Sequence, residues 1–155
     1  MIDTPCQMPD LTPVLKVIPM PSDANQYGDV FGGWTMAQID LAGAVLAHRA
    51  TRGRVATVAV NTMQFHQPVS VGDIVSFFAE VERRGNTSIT IKVQMYAERH
   101  PADPITVKVT EASITYVALN PDASKRVDSG FDRRILRDRR APFATGFTGP
   151  LVGGV

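Results

Sequence analysis

The chain is poor in the residue types that announce familiar chemistries. It has a single cysteine, Cys6, three histidines and one tryptophan in 155 residues. One cysteine cannot form an internal disulfide, which suits a reducing compartment. The histidines (His48, His66 and His100) and Cys6 show no metal-ligand spacing, so no metal is expected. No glycine pattern matches a P-loop or a dinucleotide fingerprint, and no internal repeat is present. No window of eighteen apolar residues occurs, so no membrane span is expected. The opening MIDTPCQMPD carries early acids and no apolar core, unlike a signal peptide. These absences set cytoplasmic as the expected location. Cys6, in a stretch expected to be a flexible end, is not a good nucleophile candidate.

What the chain does contain is apolar residues at 44% and a net charge of +1, ordinary for a globular domain of this length. The charge is uneven. From Lys125 onward there are seven basic residues against three acidic, and the last dozen residues are glycine-rich and uncharged. Three parts are therefore expected: a flexible N-terminus over 1–10, a folded domain over 11–123, and a basic then Gly-rich tail over 124–155. The tail is either a solvated extension or an anion-binding arm. Nothing suggests nucleic acid as a partner.

The segment SDANQYGDVFGGWTMAQIDLAGAVLA, residues 22–47, organises the rest. Polar turn formers lead into a helix expected from Trp34 to about His48, closed over Arg49–Gly53. Asp40 is its only charge before His48, with apolar residues on every side, so the helix is expected to be buried. A lone acid in a central helix is a site candidate, because burying a charge is costly without compensation. Strands are expected over Leu11–Met20, Arg54–Phe65, Ile74–Arg83, Thr87–Arg99 and Ile105–Leu119. Residues 54–65 are β-branched and apolar on both faces, the mark of a central strand. Short connections imply an antiparallel meander. One long helix and one sheet require the sheet to curl round the helix, giving an α+β hotdog fold.

Three stretches then carry a resemblance. MPSDANQYGDVFGGWTMAQIDLAGAVLA, GRVATVAVNTMQFHQPVSVGDIV and KVTEASITYVALNPD resemble the YciA-like acyl-CoA thioesterases, in the acyl-CoA hydrolase branch of the hotdog superfamily. The resemblance spans about residues 18–123. It implies hydrolysis of acyl-CoA to CoA and a carboxylic acid by a homodimer, assembled as a trimer of dimers into a hexamer, without a cofactor.

The resemblance also points to site residues. Asp40 falls on the catalytic helix acid of such enzymes. As a carboxylate it acts as general base toward water or as nucleophile giving an anhydride; a satisfied buried acid paired with an arginine is the plain structural alternative. Asn25 is implied to orient water or thioester opposite that acid, in a site shared between subunits. A turn asparagine also commonly caps its own backbone. Gly32 and Gly33 leave the helix N-terminal N–H groups open, a candidate oxyanion hole or simply a tight turn. Arg54, Thr87 and Ser88 are candidates for CoA phosphates or pantetheine. Two other readings compete: an enoyl-thioester hydratase or dehydratase using His66 with an acid, and a non-catalytic acyl-CoA-binding regulatory protein.

Overall fold

The computed structural model describes residues 3–127. Strand β1 spans Leu15–Val17, the helix α1 Gly32–Thr51, and strands β2 to β5 span Val55–Phe65, Ile74–Arg84, Ser88–Arg99 and Ile105–Ala118. All pairings are antiparallel, in the order β1-β3-β4-β5-β2. All four long strands touch α1, so the sheet wraps the helix as expected of a hotdog fold. Alternation along the strands builds the core. Val75, Phe77, Ile89, Ile91, Ile114 and Tyr116 face the helix and are fully buried against Ile39, Ala42, Ala47 and Ala50. The basic and Gly-rich tail lies outside the described residues, except for its first four, 124–127.

Several expectations are corrected. The first strand is three residues rather than ten, because Pro13 and Pro19 each remove a ladder donor. The helix begins two residues earlier, so Gly32 and Gly33 form its first turn. It ends at Thr51, and the following Arg52 takes the left-handed conformation at φ 51°. There Arg126 Nη2 donates to Thr51 O at 2.6 Å, and His48 Nδ1 donates to Gly53 O at 2.8 Å. The first takes up a carbonyl that the helix end leaves open, and the second ties the turn after it back to the helix.

The largest correction concerns β2. It is an edge strand, paired only with β5, and not a central one. The meander therefore runs only through β3, β4 and β5, and the chain crosses the sheet between β2 and β3. The helix, too, is not buried all round. Met36 (47%) and Leu41 (55%) are exposed on it, as are Val58 (54%) and Val60 (48%) on β2. Val60 pairs with the fully buried Ile114, so it lies on the inner face of the sheet, beyond the cover of its own helix. Apolar residues on both faces of an edge strand pattern like those of a central strand, so the period alone misplaces it.

Residues 3–6 run beside β5 and the end of β4. Pro5 bridges Val107, and Cys6 N donates to Thr106 O at 2.8 Å. Arg99 binds Asp3 and, through Nε at 3.1 Å, the buried Asp73.

Candidate active site

Asp40 is half-buried on α1, above the edge of the sheet where β2 meets β5. Thr57 and Tyr116 are direct cross-strand partners there, so both side chains rise on the same face. Thr57 Oγ1 donates to Asp40 Oδ1 at 2.7 Å. The Tyr116 hydroxyl lies 3.2 Å from the same oxygen and 2.9 Å from the Asp40 main-chain carbonyl, and donates toward both. Asp40 Oδ2 has no hydrogen-bond partner among the described residues. The structural alternative, a buried acid paired with an arginine, is not seen among the described residues, where two hydroxyls hold the carboxylate. Burial, then the Asp40 charge, pushes the Tyr116 phenol far above its usual range, so it stays a proton donor.

Gly43 makes this approach possible. A Cβ at residue 43 would lie 2.2 Å from the Tyr116 hydroxyl oxygen. One helical turn past Asp40, the absent side chain is the space the phenol occupies.

The Asn25 loop is held by its own backbone. Asn25 Oδ1 accepts from Tyr27 N at 2.9 Å and from Asp29 N at 3.2 Å, and Asn25 N donates to Asp29 O at 2.9 Å. The capping role therefore holds. It fixes the amide so that Nδ2 is left without a partner among the described residues. No hydrogen bond joins Asn25 to Asp40 within the protomer.

Gly32 and Gly33 are exposed, and their N–H groups have no acceptor among the described residues. A Cβ on Gly33 would meet nothing within 4 Å. The positive end of the helix thus keeps unbonded N–H donors among the described residues.

Arg54, Thr87 and Ser88 gather at one end of the sheet, around the last residues of β5. Arg54 O accepts from Leu119 N at 2.9 Å, Thr87 O from Ala118 N at 2.8 Å, and Ser88 pairs with Val117. Arg54 is exposed, three residues along β2 from Thr57, or about 10 Å.

None of the histidines joins Asp40. His48 closes the helix end. His66 Nε2 is 3.8 Å from Glu111, and Glu111 neighbours the inward-facing Ala112, which places it on the outer face of the sheet. His100 is 3.6 Å from Asp3. No group of three or more His, Cys, Asp or Glu among the described residues could hold a metal ion, and no helix among them is long and apolar enough to cross a membrane.

Thr57 and Tyr116 escaped the reading of the sequence. Tyr116 did leave a trace: a phenol among the inward-facing apolar residues Val107, Val109, Ala112 and Ile114, which must find a hydrogen-bond partner when buried.

The profile of the thioesterase superfamily matches residues 27–103. The acyl-CoA thioester hydrolase YciA of Salmonella typhimurium is 45% identical over 115 residues, covering 73% of this chain and 86% of that one. A hexameric hotdog-fold thioesterase of Campylobacter jejuni superposes with a TM-score of 0.75 at 37% identity, over 83% of this chain and 96% of that one. An acyl-CoA hydrolase of Staphylococcus aureus matches at a TM-score of 0.67 and 25% identity, over 73% of this chain and 69% of that one. Structures of it are known with an aspartate replaced by alanine and with a threonine replaced by alanine, and the two positions are 17 residues apart. On fold, length and sequence, the chain belongs to the YciA-type acyl-CoA thioester hydrolases of the thioesterase superfamily.

Proposed function

We propose that this chain hydrolyses acyl-CoA thioesters to CoA and a carboxylic acid at Asp40, in a site completed by a second protomer. One observation carries the reading: Asp40 is held by two hydroxyls through Oδ1 while Oδ2 stays open. The spacing of Asp40 and Thr57 is also 17 residues, equal to that of the replaced pair in the S. aureus enzyme.

In the reaction, Oδ2 takes a proton from water as the water oxygen adds to the thioester carbonyl carbon. The negative charge that develops on the carbonyl oxygen meets backbone N–H groups at the helix start, Gly32 and Gly33. The C–S bond then breaks, and the proton held by Asp40 leaves with the CoA sulfur. Arg54, Thr87 and Ser88 line the path for the CoA arm. The same carboxylate can instead attack the carbonyl carbon directly, expelling CoA thiolate and giving an anhydride that water then hydrolyses back to Asp40 and the free acid.

Several features support a shared site. Gly33 lies seven residues before Asp40, about 10 Å along the helix axis. An oxyanion donor works at about 3 Å, so a thioester seated at Asp40 needs donors nearer than its own helix start. Met36 and Leu41 on the helix of Asp40 are exposed, as are Val58 and Val60 on β2, a strand with an unpaired edge. Such edges are normally covered, and a two-fold dimer covers this one while bringing the partner's loop to the helix. Asp40 of one protomer then works with Asn25, Gly32 and Gly33 of the other. The hexameric assembly of the C. jejuni relative suits three such dimers. A cytoplasmic setting accords with the single exposed cysteine.

A panel of acyl-CoA substrates assayed with a thiol reagent tests the reading. CoA thiol should appear in proportion to acid formed. Hydration of an enoyl-CoA, seen as lost ultraviolet absorbance without thiol release, would assign the chain to the hydratases instead.

A further inference from the structure

We propose that Tyr116 is a positioning residue for hydrolysis: its buried hydroxyl, admitted to Asp40 by the missing side chain of Gly43, fixes Oδ1 and leaves Oδ2 to act. The inference rests on the reading of Asp40 as the working carboxylate.

Tyr116 is fully buried, on β5. Its ring crosses under α1 and its hydroxyl reaches two atoms of one residue, Asp40 O at 2.9 Å and Asp40 Oδ1 at 3.2 Å. A donor bound to both the backbone and the side chain of one residue restricts the rotation of that side chain. Thr57 Oγ1 approaches Oδ1 from the neighbouring strand at 2.7 Å. Oδ1 thus has two donors from two strands and Oδ2 has none among the described residues. A carboxylate on an exposed helix face would otherwise sample several rotamers, and only some would present an oxygen to water beside the thioester.

The contact depends on residue 43. With a methyl group there, the nearest atoms would be the Tyr116 hydroxyl oxygen at 2.2 Å and Cζ at 3.0 Å. Backbone on one side and a packed core on the other leave little room to yield. The sequence cost of a glycine inside a helix is then repaid at the active site, since alanine there would displace the hydroxyl.

Tyr116→Phe removes one oxygen and keeps the ring. It should lower kcat about tenfold, the scale of a lost hydrogen bond to a charged group, with KM within about twofold, the fold intact and the melting temperature lowered by no more than a few degrees. A purely structural tyrosine would lower the melting temperature to the same extent but leave kcat of the folded enzyme in place. Thr57→Val should act in the same way. Because either hydroxyl alone still holds Oδ1, the double variant should lose more than the product of the two single effects. Gly43→Ala should lose at least as much kcat as Tyr116→Phe, and adding Tyr116→Phe to it should cost no further activity. Asp40→Ala, run alongside, separates the two layers of the argument. If Asp40→Ala is inactive while Tyr116→Phe keeps wild-type kcat, the positioning role is wrong and the Asp40 reading stands. Effects of Thr57→Val and Tyr116→Phe that simply multiply would also overturn it. If Asp40→Ala keeps more than a tenth of wild-type kcat, the Asp40 reading fails and this inference fails with it.

Discussion

Replacing Asp40 with alanine or asparagine should lower kcat at least a hundredfold, the usual scale for a lost acid–base group, while acyl-CoA continues to bind. The expectation follows from the surroundings of the carboxylate. Among the described residues no histidine, cysteine or second acid is bonded to Asp40, so no other group there can take the proton from water. Hydroxyls of Thr57 and Tyr116 are poor bases, and both already donate to Asp40. The asparagine variant is the sharper test, because its shape is that of aspartate and it still accepts from both hydroxyls. Binding should survive because the residues proposed to hold the CoA arm, Arg54, Thr87 and Ser88, make no bond to Asp40. The check is steady-state kinetics with a thiol reagent, together with acyl-CoA affinity by calorimetry. A variant that keeps more than a tenth of the wild-type kcat would remove Asp40 from the chemistry.

Val60→Asp should convert the protein to monomers and reduce kcat/KM to below about a hundredth. Val60 sits on the inner face of the sheet at its open edge, opposite Ile114, where its own helix does not reach. In the proposed dimer the partner covers it. A carboxylate placed there would be buried without a counter-charge, which opposes association strongly. Within one protomer the position is 48% exposed, so the same change should leave the fold intact. Sedimentation reads the association and far-ultraviolet circular dichroism reads the fold. A dimeric, fully active Val60→Asp would show that this face is not the interface.

The sequence revealed most where a local pattern has a local cause. Asp40 stood out because a charge among alanines and leucines needs an explanation. The long strands came within one or two residues of their observed ends because β-branched alternation is a short-range property. The place of β2 was not legible. Its apolar residues on both faces resemble those of a central strand, and only the pairing of Val55 with Ala118, a contact between distant parts of the chain, puts it at the edge. The exposed helix face was hidden for the same reason. Met36 and Leu41 pattern as core residues, although one protomer leaves them uncovered.

The Asp40 site shows the same division. Asn25, Gly32 and Gly33 were visible as a polar turn running into a helix. The Asn25 capping bonds and the bare amides fit that turn. Thr57 and Tyr116 could not be joined to Asp40 in advance, since they lie 17 and 76 residues away along the chain. Gly43 looked like a mere interruption in a helix. Its role appears only once Tyr116 is packed against it. Arg54, Thr87 and Ser88 share one sheet end because β2 and β4 both flank β5, a placement that no local pattern carries.

The central claim, that Asp40 of one protomer works with Asn25 of another, is tested most directly by mixing two inactive variants. Asp40→Ala and Asn25→Ala should each be nearly dead alone. Unfolded together in equal amounts and refolded, they should pair at random, so that about half the dimers are mixed. Each mixed dimer would hold one intact site and one site lacking both groups. By two-fold counting, activity should return to about a quarter of wild type. A mixture no more active than the average of its two components, with mixed dimers confirmed by mass, would show that the two residues do not meet across an interface.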